Sequence, residues 1–534
     1  MLDLVIRDGT VLDGSGAPGR RADIGIRGGR VTSVGVVGER GATEIDAEGR
    51  IVTPGFIDIH AHDDFNLPLN PQAHGKVTQG VTTVVNGNCG LSPAPFDPAR
   101  LAAHRDIMAS LDSGLDYRWP TLGAFLDDHP PCGVNVCQLV GHHAVRCAVM
   151  GMAPRAPTAG ELDRMRAHVD AAMRAGAFGL STGLFGPPGG HADADEVVAL
   201  AGVAAHHGGG YFTHMRNEGA RVTAAIDEAI DIGRRAGAAV QISHLKVSDP
   251  GHHGIAPDLL ARIHAARDDG LDIHSDQYPY AASSGGLRFR LPPWAQAGET
   301  GEILARLRDP SARERLRHDL EEGMARDRIS MRIYDWSQVR IGMSPTRPEV
   351  VGLTLAALGE RDGKRPADAL LDLLLADRLA TRGIYFHMSE ADVRAIMRDP
   401  LVAIGSDGLY TGLPGQPDHS NPHPRHYGTF ARVLGHYVRE EGVLGLADAV
   451  RKMTALPAHI LGLADRGILT AGAAADLVVL DPDRITDRAT FDHPHREAEG
   501  VDDVIVNGVA VLRDGRATGA VPGQVLRHRA GARR

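Results

Sequence analysis

At 534 residues the chain is too long for one ordinary domain, although a barrel of about 250 residues or more counts as one, so a large barrel with a smaller companion domain is expected. Hydrophobic residues make up 43% and charged residues 23%, an ordinary balance for a globular protein, and a net charge of -10 with no basic patch excludes a nucleic-acid-binding surface. No apolar run is long enough to span a membrane, and the densest basic stretch, Arg527–Arg534, reads as a solvated tail.

The opening MLDLVIRDGTVLDGSG shows no basic segment followed by an apolar core, which predicts a cytoplasmic protein without a leader. Four cysteines are too few for a disulfide framework in a chain this long, so a reducing compartment is expected and a free thiolate can serve as a metal ligand. Residues 1–54 alternate apolar with polar in short runs broken by Asp8-Gly9, Asp13-Gly14 and Gly28-Gly29, a β-rich pattern. Residues 461–534 return to it with DLVVL at 476–480 and VDDVIVNGVAVL around Asn507-Gly508. Two β-rich ends predict one small β-sandwich domain assembled from both termini.

Between them, 55–460 alternates short apolar strands with amphipathic helices. Strands are predicted at Gly55–His60, Val81–Val85, Asn135–Val140, Phe178–Ser181, Gly210–Thr213, Val240–Ser243, Leu271–His274 and Leu401–Gly405. The clearest helix opens on the capping box Thr158-x-x-Glu161 and places Leu162, Met165, Val169 and Met173 on one face. Repeated strand–helix units predict a parallel α/β fold, and eight of them favour a closed (β/α)8 TIM-like barrel over an open sheet. The seventh-to-eighth connection is too long for a loop; its part at about 285–345, with Arg288-Phe289-Arg290 and Pro292-Pro293-Trp294, reads as an inserted subdomain that could cover the barrel mouth.

Catalytic groups in such barrels project from the C-terminal ends of the strands. Histidine is abundant, with 27 copies, so only position can single out functional ones. Strand one runs into IDIHAH, where alternation along an extended chain points His60 and His62 to one side. Strand two delivers Cys89 in VNGNCG, strand five His214 in YFTHM, strand six His244 in ISHLK, and strand eight Asp407 in IGSDG. Singly each has a bland explanation: an incidental H-x-H, a small buried hydrophobe, a turn. Six metal-compatible groups at the ends of five strands are not explained that way. Imidazole and thiolate together with a carboxylate favour zinc.

These residues, with PGFIDIHAHDD, GVTTVVNGNCGLSPAP, GLSTGLF, FTHMRNE, ISHLKV, DQYPYAASS, HPRHYGTFARVLG and GILTAGAAADLVVLDP, give a chain that resembles the amidohydrolase superfamily along nearly its whole length. Within it the chain resembles the N-acyl-D-amino-acid deacylases (D-aminoacylases). Cyclic amidohydrolases such as hydantoinases and dihydroorotases are expected to bridge two metals with a lysine at the end of strand four. Here that strand ends Gly179-Leu180-Ser181-Thr182-Gly183, and the deacylases use the strand-two cysteine instead. The resemblance implies a tight zinc on Cys89, His214 and His244, a second, weaker or partly occupied site at His60, His62 and Asp407, and a substrate carboxylate held by Lys246, Tyr278, Ser284 and Arg425, with Ser283 an equal alternative to Ser284.

An amide carbonyl is a poor electrophile and neutral water a poor nucleophile; zinc addresses both, and a carboxylate beside it, Asp407, can move the proton from water to the departing amine. His142 and His143 read as packing or supporting groups. The expected reaction is hydrolysis of an N-acyl-D-amino acid, a small-molecule substrate with an α-carboxylate. Two enzymatic alternatives stay open, a dipeptidase for L-Xaa-D-Xaa and a cyclic amidohydrolase. A non-catalytic scaffold is disfavoured by the full set of ligands. The 408–424 stretch is longer than the family pattern, which leaves side-chain and acyl preference open.

Overall fold

A computed structural model describes residues 1–109, 111, 114–323, 333–409 and 418–529. Eight short parallel strands form its centre: β1 (Phe56–Asp58), β2 (Val81–Asn86), β3 (Asn135–Gln138, resuming at Val140–Gly141), β4 (Gly179–Gly183), β5 (Gly210–His214), β6 (Val240–Ile242), β7 (Ile273–Gln277) and β8 (Val402–Ile404). Each residue of these strands is buried, because helices cover the outside and side chains fill the inside. Pairing runs β1-β2-β3 in one sheet and onward from Val140–Gly141 through β4 to β8 in a second. The interruption in β3 is bridged by the Phe178 N–H, which donates to the Gln138 carbonyl at 2.9 Å. At the other side Ala61 and Gly408 form a parallel bridge, with the Asp407 N–H donating to the His60 carbonyl at 2.8 Å. This is a parallel α/β scaffold of the TIM-barrel type.

One strand differs from expectation in a way that matters for the site. β7 starts at Ile273 and runs through Asp276 and Gln277, further on than the predicted Leu271–His274. Leu271 still belongs to the turn that ends the preceding helix, its N–H donating to the Ala266 carbonyl and Gly270 sitting at φ +95.

The two ends of the chain share one nine-stranded sheet, joined where Ile51–Pro54 pairs antiparallel with Leu477–Leu480. The first strand, Leu2–Val11, pairs with Gly41–Asp46 up to Arg7 and with Ile51–Pro54 from Thr10 on. The exchange happens across the irregularity between Ile6 and Gly9, where Asp8 takes φ +57. By hydrogen bonding the expected sandwich is therefore a continuous sheet, and its apolar side chains from both ends (Leu4, Ile24, Leu477, Ile505) form one cluster.

The segment between β7 and β8 carries its own antiparallel sheet of Ser283–Gly286, Arg382–Tyr385 and Val339–Met343. Its separate core runs from Leu287 to Tyr385, well past residue 345, because Leu355–Asp362 and Pro366–Ala376 pack their leucines into it. The segment returns its last strand to the first, pairing Ser284 with Ile384 and Gly286 with Arg382, so Ser284 and Arg382 line one cavity.

The β1–β8 seam is held by a buried charge cluster. Lys76 is fully buried, its Nζ 2.7 Å from Asp58 Oδ2, 2.8 Å from Ser406 Oγ and 3.3 Å from Asp63 Oδ2. Asp58 in turn accepts the Ser406 N–H at 2.8 Å. Removing one partner of such a pair strands a charge in a dry interior. Lys76→Met is expected to lose about 3–5 kcal/mol of stability by urea unfolding. A midpoint equal to that of the parent chain would show that the seam does not depend on this lysine.

Candidate metal centre

The six predicted ligands converge at the C-terminal mouth of the strands. His60 and His62 follow β1, Cys89 follows β2, His214 is the last residue of β5, His244 follows β6 and Asp407 follows β8. Three of them, Cys89 at φ 55, His244 at φ 36 and Asp407 at φ 46, lie in the left-handed region that non-glycine residues avoid. Each such residue stores about 1–3 kcal/mol of strain and persists only where its surroundings hold it. Around Cys89 the NGNCG sequence does so. Gly87 takes φ +80 and Gly90 φ +76, and a Cβ on Gly87 would meet the Leu139 carbonyl oxygen at 2.2 Å. Between them Asn88 donates its Nδ2 to the Val85 carbonyl at 2.8 Å.

Cys89 Sγ lies 3.4 Å from His60 Nε2 and 3.4 Å from His244 Nε2. Asp407 Oδ1 lies 3.2 Å from His62 Nε2 and 3.5 Å from His60 Nε2. One donor atom from each of His60, Cys89, His244 and Asp407 falls within 4.8 Å of all the others. His214 stands against His244 with ring centroids 4.3 Å apart and belongs to a neighbouring group with Glu218 and His244.

Electrostatics separate Cys89 from the other cysteines. Burial pushes Cys132 up to about 11 and Cys137 and Cys147 to about 12. Burial acts upward on Cys89 too, but His60 and His244, with hydrogen bonds from His214 and His244, hold its thiol well below the usual range. Burial likewise opposes charge on Asp407, and Arg425, with Nη1 at 2.8 Å, overcomes it and keeps the carboxyl ionised. The imidazoles respond in kind. Burial disfavours their charge, yet Glu218 and Cys89 bring His214 to about 9. A thiolate and two carboxylates among buried imidazoles form a donor set that draws in positive charge. Soft sulfur with imidazole nitrogen and a carboxylate fits zinc.

Two supporting carboxylates were not singled out in the sequence. Asp276, on β7, accepts from His60 Nδ1 at 3.1 Å and from the His244 backbone N–H at 2.8 Å, while Gln241 donates to its other oxygen at 2.9 Å. Glu218, four residues after His214, lies 2.9 Å from His244 Nδ1 and also accepts from Lys246 Nζ. These contacts fix which nitrogen of each ring faces the centre.

Of the expected carboxylate-binding residues, Ser284 and Arg425 line a cavity of about 70 Å³ together with His62, Cys89 and Asp407, and Arg382 joins them. Tyr278 lies under the Arg425 guanidinium, 4.7 Å from its ring centre, with its hydroxyl toward Met388 Sδ. Lys246 is engaged behind the metal ligands, with Glu218 and the His244 carbonyl. Ser283 Oγ pairs with His387 Nε2 at 2.9 Å. His142 pairs with Glu196 at 2.8 Å, and His143, pushed down to about 3 by burial, donates Nε2–H to the Gly183 carbonyl at 2.7 Å; both are packing groups. Residues 410–417 of the extended 408–424 stretch lie outside the described residues.

A model of the amidohydrolase family matches residues 43–276 and 354–512. The chain is 41% identical over 529 residues to the N-acyl-D-glutamate deacylase of Alcaligenes xylosoxydans xylosoxydans, covering 98% of this chain and 96% of the relative. A solved D-aminoacylase, described for its binuclear metal centre, superimposes with a TM-score of 0.83 at 38% identity over 99% of this chain and all of that one. The N-acyl-D-glutamate deacylase of Bordetella bronchiseptica, solved with zinc and a phosphonate mimic of the tetrahedral intermediate, gives 0.81 at 39% identity over 98% and 99%.

The Asp276 contacts generate a test that does not need turnover. Asp276→Asn is expected to weaken zinc binding by about 10–100-fold in competition with a chelator. Unchanged affinity would remove Asp276 from any role in orienting His60 and His244.

Proposed function

Because the chain belongs to the amidohydrolase family, on the branch of D-aminoacylase and N-acyl-D-glutamate deacylase, we propose that it is a zinc-dependent hydrolase that splits the amide bond of N-acyl-D-amino acids into a carboxylate and a free D-amino acid. The observation that carries this is Cys89, a buried thiolate between His60 and His244, on a scaffold whose β4 ends without a lysine. The cyclic-amidohydrolase alternative is set aside on that ground. The dipeptidase alternative gains no support from the relatives. The scaffold is read as a closed (β/α)8 barrel with its β-domain built from residues 1–54 and 461–534 and its insertion between β7 and β8.

In this reading Cys89, His214 and His244 hold the tight zinc, and His60, His62 and Asp407 a second, weaker site. Zinc supplies Lewis acidity that polarises the amide carbonyl and makes water acidic. Asp407 is kept ionised by Arg425, so its carboxylate can take a proton from the attacking water and deliver it to the departing amine. The substrate α-carboxylate is drawn to the wall where Arg425 and Ser284 stand beside Asp407, with Tyr278 shaping the guanidinium and Lys246 adding positive potential behind His244. Bidentate recognition suits a planar guanidinium. Four free, buried cysteines support a reducing, cytoplasmic setting.

On a panel of N-acetyl-D- and N-acetyl-L-amino acids, with zinc measured on the same preparation, turnover is expected for D-substrates. Activity confined to the L-series would sink the proposal. Asp407→Asn is expected to retain the tight zinc while losing about 10²–10⁴-fold in kcat; a rate like that of the parent chain would refute its role in proton transfer.

A further inference from the structure

The cavity at the metal ligands, about 70 Å³, has room for little more than the reacting amide. Substrate pockets usually enclose about 300–1,000 Å³. A second pocket of about 530 Å³ opens next to it, and the rings of Phe185 and Phe289 line both spaces. Phe185 stacks on the proposed ligand His214 with centroids 3.9 Å apart, and Phe289 meets Phe185 edge-on at 4.8 Å. The fit of this pair is close. A Cβ on Gly186 would meet Phe289 at 2.6 Å, so the glycine lets the second ring lie against the loop after β4. Both rings are only partly buried, so the two spaces share a boundary made of side chains that keep some freedom to turn.

We infer that this pocket is the acyl half of the active site and takes uncharged aliphatic or aryl acyl groups larger than acetyl. The inference rests on the deacylase reading. An amide held with its carbonyl at the metal has two ends. Its carboxylate end is drawn to Arg425 and Ser284, on the side of β8 and the insertion. The acyl end then points across the metal to the opposite wall, formed by the loops after β4 and β5, where Phe185 stands. Leu184, Pro187, Leu291 and Pro293 make much of that pocket apolar. The Arg216 guanidinium there is already committed, to Glu228 at 2.9 Å and to the carbonyls of Gly190 at 3.2 Å and Ala192 at 2.9 Å. Arg221 also lines the pocket but is solvent-exposed, where its charge is screened, so the pocket favours uncharged acyl groups.

The test uses the full chain with its zinc and one D-amino acid carrying acetyl, butanoyl, hexanoyl or phenylacetyl. Burial of each methylene is worth up to about fourfold, so kcat/KM is expected to rise about tenfold or more from acetyl to hexanoyl. Ala224 is exposed on the helix Val222–Ala236 and lines this pocket but not the cavity at the metal ligands. Ala224→Trp fills that space from a site where a large side chain does not disturb the core. It is expected to abolish the rise and leave the acetyl substrate within about twofold; that acetyl rate also reports that the variant is folded. A flat series in the parent chain overturns the inference. So does a chain-length preference that Ala224→Trp leaves intact, or an equal loss on all acyl groups. Absence of turnover on every acyl-D-amino acid overturns the deacylase reading, and the acyl pocket falls with it.

Discussion

The mouth of the barrel is organised by the need to keep two anions, the Cys89 thiolate and the Asp407 carboxylate, side by side out of water. A charge in a dry interior is costly unless its partners are in place before it arrives. Here the partners come in two layers. Imidazoles from β1, β5 and β6 face the anions directly, and behind them Asp276 and Glu218 hold the far nitrogens of His60 and His244. Arg425 and Lys246 close the arrangement from outside, each against one carboxylate. Anion and cation alternate from Lys246 through Glu218 to the histidines and on to the thiolate. The donor set thereby leaves a place for a divalent cation at its centre.

The backbone bears part of that cost. Left-handed conformations at Cys89, His244 and Asp407 turn three side chains inward just beyond the ends of β2, β6 and β8. A regular continuation of those strands would send alternate side chains away from the axis. Each turn is tied to a neighbouring strand: the His244 N–H to Asp276, the Asp407 N–H to the His60 carbonyl, and the Gly90 N–H to Ser181 Oγ. Six other described non-glycine residues share the left-handed conformation, so it marks these three candidate ligands without being peculiar to them, and it persists there because the surroundings hold it.

This division explains what could and could not be read from the sequence. Strands such as Val81–Asn86 are legible because they are rich in β-branched residues and buried on both faces under helices. β7 begins two residues and ends three residues beyond the expected Leu271–His274 because its sequence, IHSDQ, is polar, and it is polar because it supplies Asp276 and Gln277 to the interior. The six candidate ligands are legible in the sequence because they stand at strand ends, and the fold brings them to one mouth. Glu218 and Asp276 are not legible there, since a carboxylate that orients a histidine has no spacing rule of its own, and its meaning depends on which ring it reaches across the barrel. Lys246 shows the opposite case. Its place in the motif was plain, whereas its partner Glu218 lies 28 residues away and appears only in the fold. The extent of the insertion was misjudged for a similar reason: the helices at 355–376 look like barrel helices until their leucines are seen packing on Leu287 and Tyr385.

The seam between β1 and β8 joins stability to chemistry. Asp58, Lys76 and Ser406 lie one layer beneath His60 and Asp407, and Ser406 is the residue before Asp407. The hydrogen bond from Ser406 to Asp58 and the bond from the Asp407 N–H to the His60 carbonyl fix the height of β8 against β1. Asp407 needs that fixed height, because it meets His62 at one oxygen and Arg425 at the other. A shift of about one residue, roughly 3.3 Å along a parallel strand, would break both contacts at once. The buried lysine cluster therefore serves as the mechanical reference for the carboxylate above it, and charge pairing that looks purely structural sets where Asp407 stands between His62 and Arg425.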